Sequence, residues 1–308
     1  MPEYDLSWTI ATMGSVGGPG NDSLVWQQSG SDIVEIEFLQ NGAPAGGGTI
    51  AGSPFGAGWA VVGAAGLEGG GAPSGLIYRD LSTGLTEIQY LSGLTATGGG
   101  ALSANPFGPA WNIVCTGDFT GDGDLDLAWQ NSGNQQVEIQ LLNGTTSIGG
   151  GIIANNPFGA GWVVVAAGNF GGTGQSDLVW QNQASGLVEL QYLSGASAVG
   201  GGAIADNSFG PGWTVVGVGN FNGGSLSDLV WQNQANGQVD IQFLDGAVQT
   251  GAASIANSGF GPGWNVVGAG NFNGGGADLI YRNATSGVAE VQLLNGTTPI
   301  GGGVVAFG

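Results

Sequence analysis

The residues with the clearest chemical potential lie in one short loop. Asp118, Asp122, Asp124 and Asp126 place four carboxylates within nine residues, spaced by two or four and broken by Gly121 and Gly123. Oxygen ligands at that density can wrap one hard cation such as calcium. Without a cation they repel one another at close range, so the alternative is a solvated acidic turn.

Three polar columns recur along the chain. The first is acidic: Glu35, Glu87, Glu138, Glu189, Asp240 and Glu290. Two residues on, and so on the same face of a strand, stand Glu37, Gln89, Gln140, Gln191, Gln242 and Gln292. The third is Gln27, Arg79, Gln130, Gln181, Gln232 and Arg282, each directly after an aromatic: Trp26, Tyr78, Trp129, Trp180, Trp231 or Tyr281. An aromatic, a carboxylate and amides together suit neutral polyhydroxy ligands, with the ring covering an apolar sugar face. Six near-equal sites would add avidity. Two plainer readings stand beside this one. The Glu and Gln can line the wet face of an outer strand, and the Trp can fill the wedge between sheets.

The elements that carry these residues follow from the spacing. The second-strand aromatics repeat at intervals of 52, 51, 51, 51 and 50 residues. Trp8, Trp59, Trp111, Trp162, Trp213 and Trp264 keep the same beat, and all ten Trp belong to these two columns. Within one repeat, Trp162-Val163-Val164-Val165 reads as a buried inner strand, and Asp177-Leu178-Val179-Trp180-Gln181-Asn182 as a second strand. Val188-Glu189-Leu190-Gln191-Tyr192-Leu193 alternates with the period of a half-buried strand. Gly201-Gly202-Ala203-Ile204-Ala205 reads as a fourth, and Phe209-Gly210-Pro211-Gly212 as the turn into the next repeat. Four short strands, repeated six times without a helical period, predict an all-β, six-bladed β-propeller with four antiparallel strands per blade, one domain over residues 1–308. A parallel β-helix is the rival, but its rungs are shorter. The end strands can complete one blade or staple two neighbours.

The loop before the second strand of the third repeat, Gly117-Asp118-Phe119-Thr120-Gly121-Asp122-Gly123-Asp124-Leu125-Asp126-Leu127, resembles the FG-GAP/VCBS repeat of integrin-like propellers and bacterial secreted proteins. Ala128-Trp129-Gln130-Asn131 and Leu142-Asn143-Gly144 share the likeness. The resemblance implies a calcium loop with Asp118, Thr120, Asp122, Asp124 and Asp126 as ligands. The other repeats depart from it: Asn169, Thr173 and Asp177; Asn220, Asn222 and Asp228; Asn271, Asn273 and Asp278; Gly75 for the last Asp in the second; Asp22 and Ser23 exchanged in the first. Those loops carry too few carboxylates for calcium, and their Asn and Asp are expected to cap turns.

Composition narrows the function. The chain holds 22 acidic residues against two Arg, with no Lys and no His, for a net charge of −20. That field repels phosphate backbones and anionic lipid, which argues against nucleic acid as a partner. No apolar run reaches membrane-spanning length, so no membrane insertion is expected. His, the commonest general base, is absent, and no nucleophile elbow or P-loop appears, so no enzyme is expected. Cys115 has no partner Cys and reads as a small buried residue. The 66 Gly fit many tight turns. Residues 1–5 show neither a basic nor an apolar leader region. The expectation is an extracellular or cell-surface binding propeller, lectin-like toward a glycan or a surface or matrix protein. The alternative is a subunit that self-associates into a coat or filament through its blade edges.

Overall fold

The structure, a computed structural model, describes residues 4–16, 23–31, 33–51, 55–65, 74–104, 106–153, 158–159, 161–204, 209–255 and 260–305. They form six antiparallel four-stranded sheets, each built from consecutive strands in the order of the chain. The sheets span residues 8–49, 59–101, 111–152, 162–203, 213–254 and 264–305. The fold is the six-bladed β-propeller that the repeat predicts.

Blade four shows why the sequence folds this way. Its strands are Trp162–Gly168, Asp177–Asn182, Val188–Ser194 and Ser197–Ala203. Asn182 ends the second strand by accepting, at Oδ1, the N–H groups of Ala184 and Ser185, and its carbonyl takes the N–H of Gly186. Gly186 sits at φ +75°, where a side chain would strain the turn. Gly195-Ala196 makes the two-residue hairpin into the fourth strand, with Ser194 opposite Ser197.

The first strands of neighbouring blades lie against one another around the ring centre. The apolar run Val163-Val164-Val165 is therefore innermost, as expected, but only Val164 is buried; the other two are half-buried. The fourth strands form the rim and are largely exposed.

Between each pair of neighbouring blades lies an apolar core. Leu178 and Trp180 of blade four face blade three, against Phe119, Ala128, Val137 and Ile139. Val179, Val188 and Leu190 on the opposite face meet Phe209, Val215, Leu229 and Trp231 of blade five. Both faces of every sheet are covered, and burying each Trp contributes on the order of several kcal/mol.

Among the described residues, no strand is exchanged at the ends. Blade six is its own four strands and blade one its own. The ring closes by the same face-to-face packing as elsewhere, with Tyr4, Trp8, Leu24, Trp26 and Leu39 of blade one against Phe272, Ile280 and Val291 of blade six. The stapled-blade alternative is thereby excluded.

Candidate functional site

The aromatic column is internal. Trp26, Tyr78, Trp129, Trp180, Trp231 and Tyr281 are fully buried. Each packs on an aromatic from the segment before its own blade: Phe107 stacks on Trp129 at 4.1 Å, Phe209 on Trp231 at 4.4 Å and Phe55 on Tyr78 at 3.9 Å, while Phe158 is tilted by 33° against Trp180. The indole N–H groups of Trp129, Trp180 and Trp231 donate to Oε1 of Gln140, Gln191 and Gln242 at 3.1, 3.0 and 2.9 Å. Tyr281 makes the matching O–H bond to Gln292. A buried indole needs an acceptor, and the recurrent Gln supplies it. These aromatics and amides cannot form an open sugar platform, which corrects the ligand-binding expectation for them.

The third column ties blades together. Gln181 donates through Nε2 to the Trp213 carbonyl at 3.0 Å and accepts the Val215 N–H at Oε1 at 3.1 Å. Gln27, Gln130 and Gln232 repeat this two-point bridge to the next blade. Arg79 replaces it with Nη2 bonds to the carbonyls of Gly108 and Trp111, its guanidinium 4.7 Å from the centre of the Trp129 ring. Arg282 does the same at the closing seam, reaching the Asp5 carbonyl at 3.0 Å. Gln130, Gln181, Gln232, Arg79 and Arg282 are thus structural ties in place of the expected ligand contacts.

Glu87, Glu138, Glu189, Asp240 and Glu290 remain half-buried, on the strand face that carries the paired Gln. Burial raises the Glu138 carboxyl above the usual range. Of the expected binding set, this acidic column and Arg282 reach solvent.

The blade-three loop uses its carboxylates on its own backbone. Asp118 accepts the N–H groups of Thr120, Gly121 and Gly123 at 3.2, 2.6 and 2.9 Å. Asp122 accepts that of Asp124 at 2.9 Å. Asp126 is buried and binds the N–H groups of Phe119 and Leu142 at 3.0 and 2.8 Å, tying the loop to the third strand. Burial pushes its carboxyl up to about 7 against those two bonds, and Asp122 and Asp118 add to the rise. Asp177, Asp228 and Asp278 make the same tie. Asn169, Asn220 and Asn271 stand in for Asp118 as turn caps. Blade two has Gly75 instead, and there the Ser74 carbonyl takes the equivalent Leu91 N–H at 2.7 Å. Asp22 lies outside the described residues. Among the described residues, no three His, Cys, Asp or Glu side chains gather closely enough to hold a metal ion.

An open cleft between blades five and six is lined by Val218, Gly219, Asn220, Ala269, Gly270 and Asn271. Cys115 is half-buried, and burial pushes its thiol up to about 12, so it is no ready thiolate.

One repeated residue escaped the sequence reading as a core element. Phe55, Phe107, Phe158, Phe209 and Phe260 each stand four residues before a first-strand Trp, and Tyr4 stands four before Trp8. That fixed offset was the available signal. Tyr4 stacks on Trp26 at 4.0 Å, taking the place of the Phe.

Two solved structures show a distant likeness. The propeller of Dos1 superposes with a TM-score of 0.48 and 10% identity, over 98% of this chain and 73% of that one. The major Malassezia sympodialis allergen Mala s 1 gives 0.43 and 10%, over 73% of each chain. At this distance neither carries an argument. No protein-family model matches the chain, and no curated protein does.

Proposed function

We propose that the chain is a non-enzymatic interaction propeller that associates with further copies of itself through its rim. One observation carries this reading. The six fourth strands contain no charged residue and expose Ile148, Ile152, Val199, Val248, Ile300 and Val304, each more than half accessible. A net charge of −20 sets up a general repulsion between copies of the chain. An uncharged apolar edge is where a second copy can approach, and an outer strand offers it unpaired backbone groups. An extracellular coat or filament subunit is the role that follows.

The test is the state of the purified protein by analytical ultracentrifugation and electron microscopy. Polymers or discrete oligomers are expected, and Ile148→Lys with Val199→Lys and Ile300→Lys should disperse them. Monomers at all concentrations would refute rim association.

A second reading, adhesion to a glycan, is favoured by the acidic column Glu87, Glu138, Glu189, Asp240 and Glu290, which stays partly open to solvent. The FG-GAP/VCBS likeness of the blade-three loop is compatible with either reading and with a surface location.

Calcium enters through that loop alone. Its support is charge: burial, then Asp122 and Asp118, raise the Asp124 carboxyl. Its requirement is that Asp118 release amide donors to the ion. With calcium bound there, Asp122→Ala lowers thermal stability in calcium and leaves it unchanged in chelator. Equal effects in both buffers would remove calcium from the loop.

A further inference from the structure

The closing seam between blades six and one differs chemically from the other five. At the position where the other blades bury Gln89, Gln140, Gln191, Gln242 and Gln292, blade one buries Glu37, fully enclosed. Trp26 donates its indole N–H to Glu37 Oε2 at 3.1 Å, while Oε1 has no hydrogen-bond partner among the described residues. Opposite it on the rim strand stands Gly47, which offers no side chain.

The charged and titratable groups around Glu37 do not compensate an anion. Glu35, two residues away on the same face, is a like charge; its Oε2 accepts the Tyr4 hydroxyl at 3.1 Å and its Oε1 the Thr49 hydroxyl. Tyr4 lies flat on Trp26, with 3° between the ring planes. Arg282 of blade six sits 5.5 Å from the Trp26 ring centre and spends its donors on the carbonyls of Gly287 and Asp5. A buried carboxylate with one neutral donor, a neighbouring acid and no ion pair is costly. The protonated acid resembles the Gln of the other blades, with one oxygen accepting from the indole and the other carrying a hydrogen.

We propose that Glu37 is a protonation-dependent latch on the ring. Holding its proton, it locks Trp26 and Tyr4 into the closing seam; giving that proton to solvent, it leaves a buried anion that loosens blade one from blade six. Burial and Glu35 push the carboxyl up to about 7, while Trp26 opposes them. The folded state therefore holds the proton more tightly than the unfolded chain. Its stabilising contribution is full below the ordinary carboxylate range and is lost as pH rises through about 7.

Hydrogen exchange of wild type and Glu37→Gln, compared at pH 5 and at pH 8.5, tests the latch. At pH 8.5, amides of Trp8–Gly14 and Asp278–Asn283 should exchange at least about tenfold faster in the wild type than in E37Q, as expected for a carboxyl displaced by more than one pKa unit. At pH 5, just above the ordinary carboxylate range, the gap should shrink to about fourfold or less. Trp213–Gly219, at the seam of blades four and five, should match at both. Equal exchange of the two proteins at pH 8.5, or a difference spread over all seams, would overturn the latch. Calcium that slows the wild type but not E37Q at pH 8.5 would also overturn it, by showing that the orphaned oxygen takes a cation.

Discussion

Trp180→Ala will lower the unfolding free energy by about 3–5 kcal/mol, the range for truncating a large buried aromatic. The indole is fully buried between blades three and four, tilted against Phe158 and bonded to Gln191. Its removal opens a cavity that rigid sheets on both sides cannot collapse into, and it strands a buried amide oxygen. Trp180→Phe separates the two effects. It keeps an aromatic against Phe158 and deletes only the N–H donor, so the loss should fall to roughly 1–3 kcal/mol. Urea unfolding of both variants measures this. A ligand platform would behave in the opposite way: affinity would change at near-constant stability. A loss below about 1 kcal/mol for Trp180→Ala would place the column outside the core.

Asp177→Ala ranks second, at ~2–6 kcal/mol in total, from ~1–3 kcal/mol for each of the two fully buried donors, Phe170 and Leu193, left unpaired. Asp177 accepts three backbone N–H groups: Phe170 at 2.9 Å, Gly171 at 2.7 Å and Leu193 at 2.9 Å. Its two oxygens join the loop before the second strand to the bulged end of the third strand, where the ladder leaves the Leu193 amide unpaired by backbone. Blade two shows that the amide is what matters, because there a main-chain carbonyl from Ser74 satisfies its counterpart on Leu91. Asp177→Asn, which retains one carbonyl oxygen, should cost less than Asp177→Ala. If the Asn and Ala variants lose equal stability in thermal melts, the carboxylate is not serving as an acceptor for these amides.

The architecture was open to reading because it rests on periodicity. A 51-residue beat of Trp, strand-length apolar runs and glycine turns survive without any knowledge of neighbours. The polar columns were harder, for a physical reason. In a sheet with one wet face, Glu189 and Gln191 alternating with Val188 and Leu190 mark the solvent side. In a propeller the neighbouring blades cover both faces, so the same alternation marks an internal polar layer. Gln191 is an acceptor for Trp180, and Gln181 a bridge to Trp213 and Val215. Neither role is visible until the blade next door is in place. The blade-three loop was misleading in a related way. Asp126 belongs to the same buried column as Asp177, Asp228 and Asp278, and the surplus carboxylates at Asp118, Asp122 and Asp124 distinguish the loop from its neighbours. The unlike chemistry of Glu37 was in plain view as the one acid among amides, but its meaning depends on which seam it occupies.

Closure without strand exchange makes the ring's joints unequal in chain topology, although they are alike in packing. The bridge from Gln181 to Trp213 spans 32 residues, whereas that from Arg282 to Asp5 spans 277. The longer loop is about three doublings of the shorter, which adds roughly 2 kcal/mol of closure entropy to the last joint. Five joints can therefore form as a growing arc from local contacts, and the sixth closes the circle late and opens early. The molecule behaves less like a seamless wheel than like a clasped bracelet, and Tyr4, Trp26, Glu37 and Arg282 are the clasp.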